Sequence, residues 1–278
     1  MHARTIGRWL GFAVLALSAS TQAAEEPVKP KAVDPAAVFE ARTHRGAGAP
    51  AGELAYRLFV PPDYDAKADT LYPLVLFLHG AGERGVDNKA QLKWGGRELA
   101  TDLQAAGKCI VIAPQCPPGK QWVDTPWSKG VYSVEKVPVS ESLRMAIEVV
   151  EKTAAEMKVD RSRIYVTGLS MGGYGTWDAL ARRPDLFAAG VAICGAGDVA
   201  SAAKLTKAGV AVWAFHGDKD NVVPPAGSRD MAAAFKQAGA AEPQFKYTEL
   251  AGVSHNAWSP AWKTPGLWTW LMSQKKSR

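Results

Sequence analysis

The feature that most limits how this chain can fold is a series of short, wholly apolar runs, each cut off by Pro or Gly and spaced by helix-length stretches. Leu74–Leu78 and Ile110–Ala113, the latter closed by Pro114, carry no polar face. A strand without a polar face must be covered on both sides, as the inner strands of a parallel sheet are. Residues 54–60 alternate well enough for a further strand and stop at Pro61-Pro62. Strands are also expected at 163–167, 189–194, 210–215 and 244–250. Residues 140–157 place Leu143, Ile147, Val150 and Ala154 at helical spacing behind Ser140, a suitable N-cap. Helices are likewise expected at 171–181, 225–238 and 265–273. Strands joined by such helices run parallel through right-handed crossovers. The expectation is an α/β fold: a mostly parallel central sheet, helices on both faces and no large cap domain, since no segment is long enough to build one.

A length of 278 residues with 47% apolar and 22% charged residues suits a folded core and excludes a disordered or fibrous chain. The first residues read differently. Arg4 and Arg8 precede an apolar run from Trp9 to Leu17, then small residues through Ala23-Ala24. A positive start, an apolar stretch too short to span a bilayer and a small-residue end make residues 1–24 a secretory signal peptide. Residues 25–37, rich in Pro, Lys and Ala, read as a flexible leader, and 38–275 as the folded domain. The expected location is therefore secreted or periplasmic.

The formal charge of +6 forms no basic stripe with interleaved aromatics, so neither nucleic acid nor a membrane surface is an expected partner. Of three cysteines, Cys109 falls in an apolar strand and reads as a buried thiol. A Cys116–Cys194 bridge stays open, because spacing does not fix connectivity. No Cys/His spacing suits zinc, and the chain calls for no metal or cofactor.

Between the strand at 163–167 and the helix at 171–181 stands Gly168-Leu169-Ser170-Met171-Gly172. A G-x-S-x-G segment in that context makes a turn tight enough to lift the Ser170 hydroxyl clear of the sheet at a helix N-terminus. The Met171 N–H then faces a developing oxyanion. A serine needs a base to become a nucleophile, and His is the usual one near neutral pH. His255 follows the last strand, where the chain order Ser, Asp, His puts it. The other histidines fit less well: His44 lies in the leader or first hairpin, His79 in a Gly-rich loop, and His216 at a strand end where it can shape the next loop.

The acid is chosen among Asp198, Asp218 and Asp220. Asp220 is preferred, Asp198 is the fallback, and Asp218 beside Lys219 suits a turn. The loop His79-Gly80-Ala81-Gly82-Glu83-Arg84-Gly85 offers backbone donors without bulk, and the Ala81 N–H is the second oxyanion candidate. Ten tryptophans are many, and Trp94, Trp127 and Trp258 fall in loops near strand ends, where aromatic platforms suit sugar or phenolic rings.

Several segments together resemble the α/β-hydrolases, in the branch of secreted esterases related to dienelactone hydrolase, polyhydroxybutyrate depolymerases, and feruloyl and acetyl-xylan esterases, often labelled predicted peptidases. They are Tyr56–Pro61, Tyr72–Gly85, Ala113–Pro117, Arg163–Trp177, His216–Pro224 and Gly252–Trp258. The likeness covers roughly residues 39–275. In that family the H-G-x-x-D-x-x-V-P segment supplies the acid, which supports Asp220 over Asp218. The resemblance implies a serine carboxylic-ester hydrolase acting on a small or polymer-linked ester. Two rivals remain: a prolyl-oligopeptidase-like peptidase, and a non-catalytic binding protein on the same fold.

Overall fold

The computed structural model describes residues 1–2, 33–47 and 52–276, so most of the expected signal peptide and residues 25–32 of the expected leader lie outside the described residues. Among the described residues eight strands form one sheet: β1 (Glu40–Arg45), β2 (Glu53–Phe59), β3 (Tyr72–Leu78), β4 (Ile110–Pro114), β5 (Val159–Leu169), β6 (Ala189–Ile193), β7 (Ala211–Gly217) and β8 (Phe245–Leu250). Their spatial order is β1-β2-β4-β3-β5-β6-β7-β8. β2 runs antiparallel to both β1 and β4, and every other pairing is parallel.

The apolar runs explain this arrangement. In β3, Leu74, Leu76 and Leu78 enter the core on one face while Val75 and Phe77 enter the core on the other. A period of two with both sets apolar commits each central strand to cover on both sides. Helices α4 (Glu141–Glu156), α5 (Met171–Arg182), α6 (Ala202–Lys207) and α7 (Ala226–Gln237) supply the first cover. The second comes from α2 (Gly96–Ala100), α3 (Asp102–Ala106), α8 (Trp258–Trp262) and α9 (Leu267–Ser273). The Ser140 hydroxyl caps α4 by accepting the N–H of Leu143, an interaction that typically stabilises a helix by about 1 kcal/mol. No helix among the described residues is long and apolar enough to cross a membrane.

At residues 35–37, inside the expected leader, the chain begins a one-turn helix, α1 (Pro35–Val38), capped by the Asp34 carboxylate and touched by the Arg57 guanidinium at the Ala36 carbonyl. β5 begins at Val159, earlier than its main apolar stretch, because Val159 pairs with Tyr72 of β3 ahead of the polar residues 160–163. No Cys116–Cys194 bridge forms. Cys116 belongs to the core of α4 and Cys194 to that of α9, on opposite faces of the sheet, and all three cysteines are free thiols. The parallel strands β3, β5, β6 and β7 all end on one edge of the sheet, and the loops leaving such an edge are where an α/β fold gathers its reactive side chains.

Candidate active site

The turn from β5 into α5 is as tight as its sequence demands. Ser170 sits at φ 54°, ψ −117°, a strained backbone that ordinary residues avoid. A Cβ on Gly168 would lie 2.6 Å from both the Gly172 carbonyl carbon and the Leu78 carbonyl oxygen. One on Gly172 would lie 2.5 Å from the Leu78 carbonyl carbon. Only glycine fits either place. The Ser170 N–H donates to the Ile193 carbonyl at 2.9 Å, which ties the strained residue to the end of β6.

Ser170 Oγ lies 2.8 Å from His255 Nε2, and His255 Nδ1 lies 2.7 Å from Asp220 Oδ2. The imidazole thus has a hydroxyl on one nitrogen and a carboxylate on the other, the geometry by which a serine can pass its proton to a base. The Asp220 side chain is fully buried. Burial alone pushes its carboxyl up, but hydrogen bonds from His216, His255 and the N–H groups of Val223 and Val222 outweigh it and hold the group well below the usual carboxylate range. The other two aspartates are occupied elsewhere. Asp218 accepts the Gly252 N–H. Asp198 caps the turn after β6 and accepts the Val134 N–H.

The loop after β3 is held by its first residue. Cys116 donates its N–H to His79 Nε2 at 2.9 Å, so the ring proton is on Nδ1, which donates to the Gly80 carbonyl at 2.6 Å. Burial pushes the His79 ring down to about 4. The Trp122 indole donates to the His79 carbonyl from the far side. Ala81 then opens a single helical turn over 81–83, and Met171 is the first residue of α5. Neither N–H has a hydrogen-bond partner among the described residues. Both are free donors beside the serine, as the first N–H groups of a helix are bound to be.

Ser170, His255 and Ala81 open into a cleft of about 270 Å³ that Trp94, Trp127 and Trp258 also line, with Glu83, Leu169 and Val222. The Trp94 and Trp258 rings are 6.1 Å apart, and Trp258 stands edge-on to His255 at 5.6 Å. Trp127 comes from the segment between β4 and α4, which the body of the fold grips firmly. Tyr174 on α5 donates to the Trp127 carbonyl, Tyr132 donates to the buried Asp178, and Arg182 binds Asp178. Sequence reasoning did not single out Glu83 or Val222 as cleft residues. Both stand inside quoted motifs, but nothing about a lone Glu or Val marks it as cleft-facing.

Cys194, Asp220 and His255 bring three potential metal-ligand atoms within 4.8 Å of one another. Their hydrogen bond occupies the facing atoms of Asp220 and His255, and burial pushes the Cys194 thiol up, away from the thiolate a metal would require.

Comparison with known proteins agrees with this architecture. The stretch from residue 140 to 213 matches the prolyl oligopeptidase family. No curated protein matches the chain. Among solved structures, a thermostable esterase is 35% identical with a TM-score of 0.76, over 86% of this chain and 64% of that one. This chain therefore spans under two thirds of that esterase's length. The feruloyl esterase module from Clostridium thermocellum, complexed with sinapinate, gives a TM-score of 0.60 at 14% identity, over 86% of this chain and 89% of that one. The acylaminoacyl peptidase of Pyrococcus horikoshii gives 0.58 at 18% identity, over 87% and 42% respectively. At such identities the last two speak for the fold alone. With its sheet order and its strained strand-to-helix serine turn, the chain has the α/β-hydrolase fold, and its similarities lie with an esterase and, over residues 140–213, with the prolyl oligopeptidase family.

Proposed function

We propose that the protein is a serine carboxylic-ester hydrolase that works through an acyl-enzyme on Ser170. The reading rests on one observation above all: Ser170 Oγ, His255 and Asp220 stand in a continuous hydrogen-bonded row at 2.8 and 2.7 Å. His255 Nε2 takes the serine proton as Oγ attacks the ester carbonyl. Asp220 keeps the Nδ1–H tautomer and stabilises the imidazolium that results. The Met171 and Ala81 N–H groups receive the oxyanion, each such donor typically lowering the barrier by ~3 kcal/mol. The imidazolium then protonates the departing alcohol. A water deprotonated by the same ring attacks the acyl-serine, and the acid leaves.

The 35% identity to an esterase favours esters, and the three tryptophans around the cleft favour an aromatic or carbohydrate-linked ester. The N-terminal sequence favours action outside the cytoplasm. The prolyl oligopeptidase match over residues 140–213 supports a second reading, peptide hydrolysis with the same three residues. Purified protein assayed on p-nitrophenyl acyl esters and on peptide p-nitroanilides separates the two. Ester turnover that disappears in Ser170→Ala supports the proposal, and anilide turnover exceeding ester turnover supports the rival. A Ser170→Ala variant that still hydrolyses the ester overturns both.

A further inference from the structure

Asp220 is bound by more than the triad needs. Its Oδ1 accepts the N–H groups of Val222 and Val223 at 2.8 and 2.9 Å. Its Oδ2 faces two imidazoles, His255 Nδ1 at 2.7 Å and His216 Nε2 at 3.2 Å. His216 lies at the end of β7 and is fully buried. Its Nε2 also lies 3.0 Å from the Val223 carbonyl oxygen. A carbonyl and a carboxylate have no proton to give, so Nε2 must carry the hydrogen, which it donates to the Val223 carbonyl with the carboxylate close beside it. On the other side of the ring, Nδ1 meets the Ser228 hydroxyl of α7 at 2.7 Å, and that hydroxyl lies 3.0 Å from the Gly195 carbonyl. Both ring nitrogens are therefore anchored, one on the Val223 carbonyl beside the triad acid and one on a helix braced against the end of β6.

We propose that His216 is a positioning residue for hydrolysis: its Nε2–H fixes Asp220 Oδ2 at the angle at which His255 Nδ1–H meets it, and draws off part of the charge that His255 feels. The two backbone donors alone leave the carboxylate free to tilt about Oδ1, and the second imidazole removes that freedom. A misplacement near 1 Å at a reacting group costs on the order of 10²-fold in rate. The other titratable groups facing this pair are the Cys194 thiol beside Asp220, Tyr174 from α5, and Glu249, which pairs with His216 in register on β8.

The inference rests on the proposed serine-hydrolase reading, and the test keeps the two apart. Wild-type protein, with Ser170→Ala as control, is assayed first on a p-nitrophenyl ester. An inactive wild type ends the functional reading before any variant is compared. His216→Leu, checked for folding by circular dichroism, is expected to lower kcat roughly 10- to 100-fold with little change in KM. It is also expected to move the acid limb of kcat/KM to higher pH, because Asp220 then turns its undivided charge on the reacting imidazole. His216→Gln, whose amide N–H reaches the same place, restores most of kcat and returns the limb. Proton NMR reads the same bond without turnover, because the downfield His255 Nδ1–H signal moves in His216→Leu and returns in His216→Gln. If His216→Leu does not fold, Ser228→Ala decides, with kcat expected to fall several-fold at constant KM. A folded His216→Leu with unchanged kcat and acid limb overturns the proposal. So does a His216→Gln as impaired as His216→Leu, or, where Ser228→Ala decides, an unchanged kcat in that variant.

Discussion

Replacing Gly172 with alanine tests the tight serine turn at its narrowest point. The added Cβ would stand 2.5 Å from the Leu78 carbonyl carbon and 2.8 Å from the His79 carbonyl oxygen, and nearer still to the Leu78 oxygen. Ordinary contact begins near 3.4 Å, so the end of β3 and the helix start must part by more than 0.9 Å, the Leu78 oxygen setting the distance. The atoms met are backbone, which has no rotamer to escape into. They also begin the loop that carries the Ala81 N–H, so the movement separates the oxyanion donors as it relieves the clash. Overpacking of this kind costs roughly 3 kcal/mol, which for a domain of this size lowers Tm by roughly 6–12 °C. The shift also lowers kcat/KM by about 10²-fold. Gly82→Ala serves as the stability control, because its Cβ would meet nothing within 4 Å, and its Tm should stay within about 2 °C. Differential scanning calorimetry and ester kinetics on both variants decide the matter. A Gly172→Ala protein with the wild-type Tm and kcat/KM refutes the reasoning.

The remaining predictions concern charge, protonation and access. Asp220→Asn should lower kcat by about 10⁴-fold with KM nearly unchanged, as steady-state ester kinetics will read. Because the Asp220 carboxyl is held below its unfolded value near 4, the stability it contributes is present above that pH. The urea-midpoint difference between wild type and Asp220→Asn should therefore shrink as pH falls below about 4. His79, held at about 4 by burial, binds its proton more weakly folded than unfolded. Stability should fall by about 3 kcal/mol as pH drops from ~6.5 towards 4, and a His79→Gln variant followed by urea unfolding should lack that share of the fall. The thiols of Cys109 and Cys116 are pushed up to about 12 and 11 by burial, and Cys194 further. A disulfide-exchange reagent should meet no reactive thiol in the native protein and all three after denaturation. Trp94→Ala or Trp258→Ala should raise KM for aryl esters by several-fold, and an unchanged KM on several esters would remove these walls from the substrate site.

The central sheet was legible because its strands are apolar on both faces, a pattern with few solutions. β1 was harder. Its Glu40–Arg45 residues are mostly exposed at the sheet edge, and a polar strand without alternation offers no period to read. α2 and α3 break at Thr101 after five residues, too short for helical spacing to register. Trp122 is fully buried and hydrogen-bonded to the His79 carbonyl, a role that depends on a residue 43 positions away and that no local pattern marks. Chain order brought Ser170, an aspartate and His255 together on paper, since strand-to-helix connections leave little choice of edge, and the resemblance of the His216–Pro224 segment supported Asp220 over Asp218. The second imidazole on Asp220 was not legible in that way. His216 shares a sequence motif with Asp220, but its contact with the carboxylate depends on the direction of its ring. That direction is set by the hydroxyl of Ser228, which belongs to a different element.

One measurement tests the central claim most directly: treatment with a fluorophosphonate, followed by peptide mass spectrometry of the modified protein. The account predicts a single adduct at near one equivalent on the Ser170 hydroxyl, formed rapidly at neutral pH and far more slowly in His255→Ala. An unmodified Ser170 in folded protein, or an adduct forming equally fast without the imidazole, would contradict it.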